Sequence, residues 1–276
     1  MNEDFLAFKQ YYKQAIEKVP SDSFFYQNIN HKFKHSVDVL HIGQQILANT
    51  PELKTKNSQF ISIAEKALLF HDIGRFKEAV NNYNNEKKHL PSSALHYDHG
   101  LIGYNLLKNN PLYNDERILF SLRYHGKIKN SVTRALNNPT IKNSPLKQDF
   151  LDIINLVRDA DKMANLKVIK KNNHLTKDLF YRNLSKEART APLSAKVQEQ
   201  FINKQTIRFN TLHSYADRIL MILSWIFDLN YQYTQKLFTL RGYDKYLLRE
   251  LSRFHPNKKD LSLIKSIIKK QLTSKV

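Results

Sequence analysis

Apolar residues recur at intervals of three and four in 33–48, 60–73, 98–108, 115–125, 148–169, 198–227 and 260–272. That is the spacing of one face of an α-helix. Short β-branched alternations bounded by turns are almost absent, so the pattern predicts an all-α fold. Polar breaks at 49–58, 81–94, 126–147 and 171–196 predict the connections. The third, Gly126 to Lys147, is rich in Asn and Lys and holds Pro139 and Pro145, and is expected to be a long loop. His213 to Leu229 is apolar on nearly all sides, which predicts a buried helix. Its most apolar part, Ile219 to Leu229, is broken by Ser224 and Asp228 and is too short to cross a bilayer. Met1 to Gln10 shows neither a signal-peptide nor a transit pattern, so the cytoplasm is the expected location and no membrane is an expected partner.

Composition narrows the chemistry. At 276 residues the chain can bury a sizeable core. It has no cysteine, which excludes disulfide scaffolds, thiol nucleophiles and cysteine-ligated metals. Its six glycines leave little material for a glycine-rich phosphate loop. The net charge of +19 points to an anionic partner, but it is unevenly spread. Residues 1–161 carry 21 basic and 17 acidic side chains, and residues 162–276 carry 23 and 8. Eight of the eleven histidines lie between His31 and His125. This division makes the first half, 1–172, the expected chemical half and 173–276 a basic helical extension, expected to pack on it as one body. In the extension, Tyr231, Tyr233 and Phe238 lie among Lys and Arg. Such a mixture can stack single-stranded nucleic acid, although a core with a solvated face is the favoured reading.

The residues that carry chemistry sit on apolar helical stripes. His71-Asp72 ends the run Ile61 to Phe70, with Ala64, Ala67 and Leu68 on the face of His71. An imidazole and a carboxylate driven against an apolar face need partners, and a metal satisfies both. His35 lies on a stripe with Val39, Ile42 and Ile46; His99 shares a face with Ile102, Gly103 and Leu106; His125 follows Ile118 and Leu122. In Asp159-Ala160-Asp161-Lys162 the two aspartates diverge by about 200° around a helix, so only one can face the core. Asp161 falls on the stripe of Ile154, Val157, Ala164 and Val168. Asp159 is left either to support a ligand from behind or to face solvent. His96 could share the face of His99 as a ligand, proton donor or outer support, and His31 stands behind His35. His41, His89, His174, His213 and His255 read as ordinary core or surface residues. Gly74, Gly100, Gly103 and Gly126 all lie within four residues of a candidate ligand, which suggests close backbone approach there.

The order His35, His71-Asp72, Asp161 resembles the H…HD…D signature of the HD-domain metal-dependent phosphohydrolases. The local strings Lys34-His35-Ser36-Val37, Leu69-Phe70-His71-Asp72-Ile73-Gly74-Arg75 and Asp159-Ala160-Asp161-Lys162 carry the resemblance. Asp98-His99-Gly100 and Arg123-Tyr124-His125-Gly126 stand where binuclear members place two further histidines. The resemblance covers roughly residues 30–170. It implies an HD-like helical bundle with additional C-terminal helices, and hydrolysis of a phosphoester or phosphoanhydride. One ion would take His35, His71, Asp72 and Asp161; a second would share Asp72 and add His99 and His125. Mixed imidazole and carboxylate donors suit Mn, Fe, Ni, Co or Zn. Arg75 is expected to hold substrate phosphate, and so, more weakly, is Lys127. The expected substrate is a phosphorylated small molecule, a nucleotide first of all. Two alternatives stay open: a nuclease of the same fold acting on DNA or RNA, and a non-catalytic binding module with a structural metal.

Overall fold

The computed structural model describes residues 3–88, 97–172, 181 and 183–273. Among these no strand occurs, as the helical periodicity predicts. No helix is long and apolar enough to cross a membrane. The chain divides into two compact units, Met1–Ala164 and Asn165–Val276.

The first unit is built from α1 (Glu3–Ile16), α2 (Phe24–Asn49), α3 (Pro51–Lys54), α4 (Ser58–Phe70), α5 (Gly74–Lys87), α6 (His99–Leu107), α7 (Glu116–Tyr124), α8 (Lys129–Leu136), α9 (Pro139–Lys142) and the start of α10 (Lys147–Asn172). Side-chain caps start five of them: Ser23 accepts from the Tyr26 amide, Asn57 from Phe60, Asp98 from Leu101, Asp115 from Arg117 and Asn138 from Thr140. Each satisfies an amide that has no partner inside its helix. α2 packs on α4 and α5, α4 on α7, and α6 on both α5 and α7. Phe8 of α1 stacks on Phe33 and meets Phe70 and Phe76, with ring centroids 5.4–5.6 Å apart. These rings tie α2, α4 and α5 together beside the residues of interest.

The segment expected as a long loop is instead α8 and α9. Val132 and Leu136, four residues apart, drop into a core with Phe120, Phe150 and Ile154. An eight-residue helix buries only those two positions, so its polar face dominates the sequence and hides the period. Pro139 is tolerated because it opens α9, where its missing N–H costs nothing.

The second unit contains α11 (Lys186–Thr190), α12 (Ala195–Ile202), α13 (Tyr215–Leu223), α14 (Gln232–Leu240), α15 (Tyr243–Phe254) and α16 (Lys258–Thr273). The apolar run 198–227 is not one helix. It stops at Ile202, where Lys204 takes a left-handed backbone with φ 53°, and resumes at Tyr215. α13 is buried on nearly every side, as its composition predicts. Asp217 is fully buried and accepts from the Ser194, His213 and Ser214 amides, a structural use of a carboxylate. His255 is likewise satisfied inside the unit, by the Leu193 amide at 3.2 Å and Asp260 at 2.8 Å.

Candidate metal centre

Five segments of the first unit bring the ligand candidates together. His35 comes from the middle of α2, His71 and Asp72 from the turn between α4 and α5, His99 from the first position of α6, His125 from the end of α7 and Asp161 from α10. His35, His71, Asp72 and His125 are buried. Asp161 and His99 keep 23% and 18% of their side chains accessible, so they mark the open side of the cluster.

Asp72 divides the cluster in two. Its Oδ2 lies 3.7 Å from His71 Nε2 and 3.9 Å from His35 Nε2. Its Oδ1 lies 3.4 Å from His125 Nε2 and 3.5 Å from His99 Nε2. Asp161 belongs to the first side, 2.9 Å from His35 Nε2 and 3.9 Å from His71 Nε2. One carboxylate thus addresses two sets of imidazoles with separate oxygens. Among the described residues, two triads could each hold a metal: His35, His71 and Asp161, and His71, Asp72 and His125.

The backbone sets the tautomers. His71 Nδ1 donates to the Leu68 carbonyl at 2.8 Å and His125 Nδ1 to the Leu122 carbonyl at 2.9 Å. A carbonyl only accepts, so the proton of each neutral ring is on Nδ1 and the Nε2 lone pair faces the cluster. His71 Nε2 and His35 Nδ1 are buried without a hydrogen-bond partner. Burial pushes the His71 imidazole down to about 4 and the His99 imidazole down to about 3. Both rings are therefore neutral donors at neutral pH. For Asp72, burial opposes ionisation, but the Lys32 ammonium together with His71 and His125 overcomes it and holds the carboxyl well below its usual range. Burial opposes ionisation of Asp161 as well, and the hydrogen bond from His35, with the nearby His35 and His71 rings, overcomes it and holds this carboxyl low too.

The depressed imidazoles set an acid limit for the metal-free protein. An unfolded histidine takes up its proton near pH 6.5, whereas folded His71 refuses it until about 4. The unfolded state therefore binds more protons in that window, and stability falls as pH drops through it. The expected loss is roughly 3 kcal/mol from His71 alone. Urea titrations in EDTA from pH 7 to 4 read it, and His71→Asn should flatten the slope by about one proton. An unchanged slope in that variant contradicts the assignment.

Other residues fall around the cluster in ways only partly expected. Arg75 Nε lies 3.6 Å from Asp72 Oδ1, and its Nη1 donates to Glu78 at 2.8 Å. Lys127 lies on the surface and pairs with Asp98, the cap immediately before His99, at 2.7 Å. Asp159 is fully buried, which removes the reading of it as solvent-facing; α10 is covered there on more than one side, with Asp152 and Arg158 buried too. His31 is exposed, its ring 6.5 Å from that of His35. His96 lies outside the described residues, as do His89 and His174.

Sequence reasoning missed two residues. Lys32 donates to Asp72 Oδ2 at 2.9 Å. It precedes His35 by three positions, so the shared helix face was the available signal. Arg158, three before Asp161, is buried and donates to the His125 and Lys127 carbonyls, pinning the turn that carries His125.

Glycine spacing makes the approach of the helices feasible. A Cβ at Gly74 would stand 2.0 Å from the His99 carbonyl oxygen, and one at Gly100 2.8 Å from that of Leu122. α6 can therefore lie directly against the start of α5 and the end of α7. At Gly126 a Cβ would make only ordinary contacts, so close approach explains some of the glycines near the ligands and not all.

Comparisons with curated proteins and with solved structures give no match. The family model of the HD domain matches residues 33–189, more than half of the chain, and spans His35, His71, Asp72, His99, His125 and Asp161. With that match and a histidine–aspartate cluster of the corresponding order, this chain belongs to the HD domain family.

Proposed function

We propose that this chain is a metal-dependent phosphohydrolase that cleaves a phosphoester or phosphoanhydride of a nucleotide. HD domains bind divalent metals. The observation that carries the reading is the buried Nε2 of His71, which has no hydrogen-bond partner and faces two carboxylates held ionised, amid three further imidazoles. Leaving such a lone pair unsatisfied is costly, and a divalent cation is the group that suits it and the carboxylates together. Nitrogen and oxygen donors without sulfur fit Mn, Fe, Ni, Co or Zn. One ion would be held by His35, His71, Asp72 and Asp161, and were a second bound, His99 and His125 would hold it, with Asp72 between the two sets.

A divalent ion held there supplies the charge that acidifies water and polarises a phosphoryl oxygen. The residues of the chain do the rest. The Leu68 and Leu122 carbonyls keep the lone pairs of His71 and His125 aimed inward. Lys32 helps to keep Asp72 ionised and holds it in place. Arg75 stands at the cluster, one-third accessible, where its guanidinium can take a phosphate oxygen while remaining anchored on Glu78. Arg158 holds the His125 turn from behind.

The test is metal analysis of the protein as purified, followed by turnover on nucleotides and generic phosphodiesters with Mn²⁺. Bound transition metal and hydrolysis of a nucleotide support the reading. Preferential cleavage of oligonucleotides, with affinity falling steeply as salt rises, would instead make it a nuclease. Absence of turnover with every metal would leave a binding module. Within the proposed reaction, Arg75→Ala should lower kcat/KM by roughly 10–100-fold. Lys127→Ala, a surface cation already paired, should lower it by less than about threefold.

A further inference from the structure

A groove of about 950 Å³ opens among α6, α7, α8 and α9, and no residue of the histidine–aspartate cluster lines it. α7 separates the two regions. Glu116, Leu119, Phe120, Arg123 and Tyr124, at helical intervals of three and four, face the groove, whereas His125 turns its ring to the cluster. The floor is apolar and rigid: Phe120 and Phe150 belong to the buried core that Val132, Leu136 and Ile154 complete.

The walls are cationic and aromatic. Lys108, Arg123 and Arg134 all line the groove and are exposed, and Glu116 is the one acidic side chain beside them. No carboxylate pairs with any of the three among the described residues. The Arg123 guanidinium lies over the Tyr104 ring at 5.5 Å and the Tyr124 ring at 5.9 Å, and Lys108 Nζ over Tyr104 at 6.0 Å. Three cations gathered around one carboxylate, Glu116, that pairs with none of them repel one another, and a ligand with several negative charges relieves that repulsion. The planar guanidinium and the tyrosine rings favour a flat, polarisable group. The Asn137 and Asn138 amides add donors and acceptors at the rim. Together these features call for phosphates and an aromatic ring in one molecule, and the volume lies within the range of small-ligand pockets, 300–1,000 Å³.

We propose that this groove is a second ligand site, separate from the metal-ligating cluster, that binds a nucleoside di- or triphosphate through Arg123, Arg134 and Lys108. It does not rest on the phosphohydrolase reading, because no ligand candidate takes part in it.

The experiment titrates ATP into the full-length protein by calorimetry, with EDTA present throughout so that no metal site contributes. The double variant Arg123→Ala, Arg134→Ala should weaken ATP at least about tenfold, and Lys108→Ala by about threefold or more. All three positions are exposed, so far-UV circular dichroism should match that of the unaltered protein. His71→Ala should bind ATP within about twofold of the unaltered protein. Inorganic tripolyphosphate should bind at least about fivefold more weakly than ATP, because it lacks a ring to stack. Equal binding by the double variant overturns the proposal. So does loss of binding in His71→Ala, which would put ATP in the cluster. Tripolyphosphate as tight as ATP would reduce the groove to a charged patch. Displacement of ATP by a tighter-binding single strand of about a dozen thymidines would assign it to nucleic acid.

Discussion

Asp72→Asn is expected to strip the purified protein of metal and to lower hydrolysis on the order of 10³-fold or more, while leaving the fold intact. The size of the effect follows from the position of the carboxylate. Oδ2 faces His35 and His71, Oδ1 faces His99 and His125, and so a single charge serves both halves of the cluster. Loss of one histidine removes a neutral donor from one side. Loss of the Asp72 charge removes the shared anion from both. Asparagine keeps the shape and still offers an oxygen to Lys32, so the comparison isolates charge from packing. Elemental analysis, a melting curve and turnover on the same sample separate the outcomes. A variant with full metal content and near-normal rate would refute the shared-ligand reading. One that simply unfolds would show that the Lys32–Asp72 pair is needed for stability.

Gly74→Ala should be the most damaging single methyl group in the first unit. Its Cβ would meet the His99 carbonyl oxygen at 2.0 Å and the Gly103 amide nitrogen at 2.7 Å, both backbone atoms that cannot rotate away. α5 and α6 must part to admit it. The expected cost is about 2–4 kcal/mol, or a melting temperature lower by roughly 5–15 °C. Because His99 is the residue pushed, a surviving fold should also lose affinity for a second ion before the first. Gly126→Ala is the control: its Cβ would lie 3.6 Å from the His99 ring, an ordinary contact, and it should melt close to the unaltered protein. Equal melting of both variants would mean that the α5–α6 contact is looser than described.

Much of the cluster was legible because burial and helical period act on the same residues. His71 lies on a stripe of apolar neighbours at spacings of three, four and seven, and His35 on one at four, seven and eleven; a polar group there must face something specific. The 200° divergence of adjacent-but-one residues separated Asp161 from Asp159, and Asp161 does reach the cluster. What the same geometry left open was whether the far side of α10 was covered, and Asp159 is buried because it is. Lys32 and Arg158 were invisible for another reason. Each looks like a solvated cation until its partner is known, and those partners stand 40 and 33 positions away. The α8–α9 segment was misread because two buried residues in eight make too faint a stripe. In the basic second unit, charge concealed a satisfied interior histidine and a buried carboxylate cap, both with purely structural partners.

The dispersal of the ligand candidates over five segments has a bearing on synthesis. His35 and Asp161 touch across 126 positions of chain, and the first unit closes only three residues after Asp161. A nascent chain therefore displays its imidazoles separately, as isolated weak ligands, until nearly the whole unit has emerged. The assembled cluster exists only in the folded state, so a free ion at a hundred times its dissociation constant would add about 2.7 kcal/mol to stability. Metal supply would then govern how long each newly made molecule survives proteolysis, as well as how fast it turns over.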